Sequence, residues 1–138
     1  MLYDLVLKAQ SRETSYTVAL DQVHENHKET AYNLLEGDDL DKFLSQLQSD
    51  VNNLKAMLHA IYIAGHATES FSDFVVGHGE LWSAQILAAT VRKRGLSCVW
   101  MDTREVLVVN PTSSKPGRPC HQFEHGSKQK HAPESRRN

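Results

Sequence analysis

Cysteine is scarce: the 138 residues contain two, Cys98 in an apolar run and Cys120 in a polar tail. Two cysteines so placed make no spaced framework of the kind that staples small secreted domains, which leaves a reducing compartment as the expected setting. Long apolar runs are missing too, and without about eighteen apolar residues in succession no segment reads as a membrane helix. The first turn carries Asp4 where a secretion signal would carry basic residues before an apolar core. A transit-type leader would be poor in acids, yet residues 1–30 include Asp4, Glu13, Asp21, Glu25 and Glu29. Positive charge is also lacking where a nucleic acid would need it. The net charge is −2, with 9 Lys and Arg against 15 Asp and Glu in residues 1–114, and 6 against 2 in residues 115–138. An acidic body has no phosphate-neutralising face, and the basic tail is too short to supply one.

What the chain does have is helical patterning on a scale that suits one small domain. Residues 2–35 set Leu2, Leu5, Val6 and Ala9, then Tyr16, Ala19, Leu20 and Val23, then Ala31, Leu34 and Leu35 at spacings of three and four. This predicts helix with a break near residues 12–15. Glu36-Gly37-Asp38-Asp39 predicts a turn in which an Asp accepts hydrogen bonds from the free amides of the next helix. From Leu40 onward, Leu44, Leu47, Val51, Leu54, Leu58 and Ile61 keep up an alternation of four and three. Phe43, Met57 and Tyr62 widen that stripe beyond a two-position coiled-coil seam, which favours packing onto a domain. Gly65 should stop this helix. Ser70 with Asp73 offers a capping-box variant for another, running through Phe71, Phe74, Val75, Leu81, Ile86, Leu87 and Val91 to Arg92-Lys93-Arg94-Gly95. Residues 96–101 then read as a buried strand and residues 106–109 as a second, so the pattern predicts an α/β domain. Residues 115–138 contain no Leu, Ile or Val. Such a segment cannot bury enough apolar surface to offset its ordering entropy, and disorder is expected there.

Few residues suggest chemistry. Gly77 and Gly79 interrupt a helical pattern, each at a cost of about 1 kcal/mol relative to Ala. Either a ligand or a neighbouring backbone needs the missing side chains, with Glu80 presented beside the gap, or helix packing alone explains them. Trp82 and Trp100 sit in apolar runs with no basic patch around them and read as core. Asp102, Thr103 and Arg104 fall where a strand should end, a usual place for site residues. A turn with a surface ion pair explains them equally well, and no role is assigned. His24 with His27, and Cys120-His121 with His125, lack four well-spaced metal ligands. Asp38, Asp39 and Asp41 lack the Gly and the distant Glu of a calcium loop. Neither a metal site nor a Ser/His/Asp or Cys/His nucleophile follows.

The segment Gly77-His78-Gly79-Glu80-Leu81-Trp82-Ser83, followed by Trp100-Met101-Asp102-Thr103-Arg104 and Asn110-Pro111-Thr112-Ser113-Ser114, resembles aspartokinases. It is most similar to the kinase part of the plant-type bifunctional aspartokinase/homoserine dehydrogenase. The likeness covers residues 1–114 and stops at Lys115, so residues 1–114 are expected to be part of an amino-acid kinase domain and residues 115–138 a basic tail foreign to it. A retained intron or a change of frame is the expected source of the switch. The resemblance implies the three-layer α/β/α amino-acid kinase fold. It also implies transfer of the γ-phosphoryl group of ATP, with Mg2+, to the β-carboxylate of L-aspartate, the entry step to lysine, threonine and methionine. A plastid is the implied location, or the cytoplasm if the chain is expressed as it stands.

In aspartokinases the Gly-Glu pair of this helix supplies the carboxylate that holds the amino group of aspartate. The resemblance thus makes Glu80 a substrate-binding residue, with Ser83 one turn away. The family's Lys-Phe-Gly-Gly type motif has no counterpart here. The Arg and the Gly-Arg-Gly-Gly-Ser-Asp type segment that complete the aspartate site and approach ATP would lie beyond Ser114. The expectation is a partial aspartate site, no catalytic residue, no tight ATP or Mg2+ binding, and no activity alone. Unpaired strand edges and uncovered helix faces would make aggregation or reliance on a partner the expected behaviour. The alternative is a non-catalytic helical module that docks on full-length aspartokinase subunits through the stripe of residues 40–61.

Overall fold

In the computed structural model, which describes residues 1–105, the helical patterning becomes four helices. Leu5, Val6 and Ala9 form the buried face of α1 (Leu2–Gln10). The break expected near residues 12–15 follows at once. Arg12 takes a φ of 57°, the Arg12 N–H donates to the Ala9 carbonyl at 3.0 Å, and the Glu13 N–H donates to the Lys8 carbonyl at 2.9 Å. This is the left-handed helix stop usually made by glycine. Arg12 accepts that conformation while its Nη2 reaches the Ile63 carbonyl at 3.5 Å, near the end of the third helix. A cation there complements the exposed carbonyls.

Helix α2 (Ser15–Leu34) buries Tyr16, Leu20, Val23 and Ala31. The stripe position between Val23 and Ala31 is taken by His27, whose ring meets Trp82 edge-on at 4.9 Å. Helix α3 (Gly37–Ala64) has Glu36 at its N-cap, and no side chain accepts a capping bond. The expected Asp cap is therefore corrected. Asp38 and Asp39 lie in the first turn, where negative charge favours the helix start, and Asp39 accepts from Arg92 at 2.9 Å. The helix buries Phe43, Leu47, Val51, Leu54, Leu58 and Ile61 and ends at Gly65, with φ 71°. The stripe considered as a docking face thus lies inside the chain's own core.

Helix α4 (Glu69–Lys93) starts earlier than the sequence suggests. Thr68, not Ser70, is its N-cap and accepts from the Phe71 N–H at 3.3 Å. Val75, His78, Trp82, Ile86, Ala88 and Ala89 face inward, while Phe71, Phe74 and Leu87 are exposed. Gly95, with φ 82°, ends the helix, its N–H donating to Arg92 and that of Leu96 to Val91. Each helix touches the other three. Trp82 is 0 % exposed at the centre and donates from Nε1 to Asp50 Oδ2 at 2.9 Å, linking α4 to α3. Farther along, Arg92 to Asp39 and Lys93 to Glu36, at 2.6 Å, tie the end of α4 to the start of α3.

The α/β/α sandwich is overturned: the described residues contain four helices, one short 3-10 turn (Thr103–Glu105) and no strand. Residues 96–101 keep one property of a strand, since Cys98 and Trp100 are half-buried while Val99 and Met101 are exposed. A strand also needs a neighbour to pair its amides and carbonyls. Among the described residues the rest of the chain is mostly helix, so no ladder forms, and Cys98, Val99 and Trp100 instead line a cleft with residues of α3 and α4. The second expected strand at residues 106–109, the boundary at Ser114 and the tail at residues 115–138 lie outside the described residues.

Candidate functional site

The two glycines of α4 separate into two kinds. A Cβ on Gly79 would stand 3.0 Å from Leu2 Cδ1, so this glycine lets α1 lie close against α4. A Cβ on Gly77 would meet nothing within 4 Å. Packing accounts for the first and leaves the second unexplained. Gly77 lines a cleft of about 400 Å3 together with Asp73, Phe74, Glu80, Trp100 and Arg104. Asp73, Gly77 and Glu80 share a helix face by their spacing of four and three. A second cleft of about 400 Å3, reaching Tyr3 and Val76, is lined by the same three residues.

The opposite wall comes from the segment after α4. Asp102 Oδ1 accepts from the Arg104 backbone N–H at 2.9 Å and from Nε at 3.0 Å, and Oδ2 accepts from Nε at 3.0 Å and Nη2 at 2.6 Å. An Asp accepting from the amide two residues on is a local turn-former, and here the same carboxylate fixes the guanidinium. The Arg104 side chain, and after it the Arg104 N–H, holds the Asp102 carboxyl below its ordinary value. Trp100 and Arg104 also border a larger cleft of about 650 Å3, lined by Lys42, Asp50, Gln85 and Arg92 among others.

Of the residues singled out by sequence, Glu80 is exposed and lines the cleft. Ser83 is not among that cleft's residues; it is exposed, and its Oγ donates to the Gly79 carbonyl at 2.7 Å. The structure therefore puts Glu80 and Arg104 on one cleft and leaves Ser83 bonded to its own helix. Arg104 and its orienting Asp102 were given no role by sequence. Their Asp-x-Arg signal is visible at the end of the apolar run, but nothing local says which helix the run returns to.

A carboxylate and a guanidinium facing one cleft with aromatic walls suit a small zwitterion, with ammonium to Glu80 and carboxylate to Arg104. Among the described residues no three His, Cys, Asp or Glu gather to hold a metal. Two histidines pack against Trp82. His27 and His78 each donate from Nδ1 to the carbonyl four residues back, Val23 and Phe74, at 2.8 Å, and both rings meet Trp82 edge-on. Among the described residues no helix is long and apolar enough to cross a membrane.

Over 114 residues the chain is 69% identical to bifunctional aspartokinase/homoserine dehydrogenase 2, chloroplastic, of Arabidopsis thaliana, a match covering 83% of this chain and 12% of that protein. The identity and both shares are the same for the chloroplastic bifunctional enzyme of Daucus carota. Bifunctional aspartokinase/homoserine dehydrogenase 2 of Escherichia coli is 36% identical over 74 residues, 54% of this chain and 8% of that protein. The chain thus spans about an eighth of the length of the plant relatives it matches. No protein-family model and no solved structure matches it.

Proposed function

Since the chain belongs by sequence with the bifunctional aspartokinase/homoserine dehydrogenases, along a stretch equal to 12% of the plant proteins' length, we propose that it carries part of an aspartokinase's L-aspartate site. One observation carries this reading: Glu80 and Arg104, far apart in sequence, line a single cleft. Glu80 accepts the substrate ammonium, and Arg104, held by Asp102, takes a carboxylate. Trp100 and Phe74 supply apolar walls beside these charged groups. The reaction served is phosphorylation of the aspartate β-carboxylate. ATP and Mg2+ are bound by parts of the enzyme other than these residues, so the chain alone binds without catalysing. A plastid setting goes with the chloroplastic relatives.

The test is a titration of the 15N-labelled 138-residue chain with L-aspartate, followed by amide shifts. Wild type should show shifts clustered at residues 73–84 and 100–104, and Glu80→Gln should weaken binding about tenfold or more, as expected for loss of a charged hydrogen bond. Equal binding by Glu80→Gln, or ATP-dependent aspartyl-hydroxamate formation by the chain alone, would contradict the proposal.

A further inference from the structure

Among the described residues, packing does not explain Gly77 on the α4 face. It lies in the interior of a 25-residue helix, where glycine is disfavoured, and its absent Cβ would touch nothing within 4 Å among the described residues outside its own helix backbone. Both clefts along this face are lined by Asp73, Gly77 and Glu80. The one toward Trp100 and Arg104 and the one toward Tyr3 and Val76 therefore meet over bare backbone. A side chain at position 77 would project between the two carboxylates, into space that the fold leaves open.

We infer that Gly77 is a specificity-determining residue: its missing side chain joins the two clefts into one groove, in which an amino-acid ammonium lies against the helix backbone between Asp73 and Glu80. The inference rests on the aspartate-site reading and deepens it by adding Asp73 and Gly77 to Glu80. The groove selects for a primary ammonium, which is small enough to approach the backbone and can donate to carboxylates on both sides. An N-alkylated amino group carries the same charge but is too bulky for the gap. Glycine is thus kept at a helix-interior position for access, in the way glycines permit close backbone approach elsewhere.

The experiment compares wild type, Gly77→Ala, Gly77→Leu, Asp73→Asn and Glu80→Gln in the same 138-residue chain, titrated by NMR with L-aspartate and with N-methyl-L-aspartate. Ala and Leu both favour helix, so loss of fold does not confuse the result, and circular dichroism melts should show Tm unchanged or raised in both. The expected result is L-aspartate binding about tenfold weaker in Gly77→Ala, undetectable in Gly77→Leu, weakened in Asp73→Asn, and N-methyl-L-aspartate binding poorly to wild type. If Gly77→Leu binds as wild type does while Glu80→Gln does not, the aspartate site stands and the groove inference falls. If wild type binds no L-aspartate, both fall.

Discussion

Gly77 and Gly79 are two residues apart and chemically identical, yet they answer to different neighbours. Replacing either by Ala removes the same intrinsic penalty of about 1 kcal/mol. At Gly77 the gain is kept, because the new methyl meets no neighbouring atom within 4 Å among the described residues. At Gly79 part of it is returned, because Leu2 Cδ1 must withdraw from 3.0 Å. Gly77→Ala should therefore raise Tm by a few degrees and more than Gly79→Ala does. Thermal melts by circular dichroism check the order, and a larger rise for Gly79→Ala would mean that α1 yields freely at Leu2. The same distinction shows what sequence could tell about the site. Gly-His-Gly-Glu singled out this turn of α4 because a helix penalised twice is visible in one dimension. Which glycine served packing was not legible, since the decisive atom belongs to α1, about 77 residues earlier.

At the scale of the element, local chemistry predicted the helix stops well and the long-range pairings poorly. The break at Arg12 and the ends at Gly65 and Gly95 were legible, because a left-handed stop needs only a few consecutive residues. The Asp cap of α3 was not formed, since the helix starts at Gly37 and places Asp38 and Asp39 inside its first turn, past the cap position. Residues 96–101 had the composition of a strand, but strand formation depends on a partner that composition does not specify. The tie between Lys93 and Glu36 gives this scale its own test. Lys93 donates to Glu36 at 2.6 Å, and that bond holds the Glu36 carboxyl below its ordinary value. A carboxyl depressed in the folded state adds stability above its unfolded value, near pH 4, and loses it as pH falls through the folded value. Lys93→Met should consequently flatten the acid side of a Tm-against-pH curve and move the Glu36 titration upward by carboxyl 13C NMR. The effect on Tm should be small because both groups meet solvent. An unchanged Glu36 titration would show that the pair does not persist in solution.

At the scale of all the described residues, four helices bury a common core that runs from Leu5 to Ala89. Apolar side chains remain at the surface on the helices, Val18, Ile63 and Leu87 among them, and in the segment after α4. Leu96, Val99 and Met101 are 63%, 87% and 60% exposed. Apolar side chains shown together to solvent mark an association surface. Self-association of the full chain should thus fall when Val99 and Met101 are both changed to Lys, with the far-ultraviolet circular dichroism unchanged. Sedimentation velocity reads the difference, and an unaltered distribution would place the sticky surface elsewhere. The core and the cleft also differ in the indole each contains. Trp82 is sealed between His27 and His78, whereas Trp100 is half-buried where two clefts meet. With two tryptophans in the sequence, one emission spectrum carries two separate reports. A change confined to the red edge, where the wetter indole emits, announces an occupant of the cleft. A change that takes the blue edge with it announces that the helices have come apart.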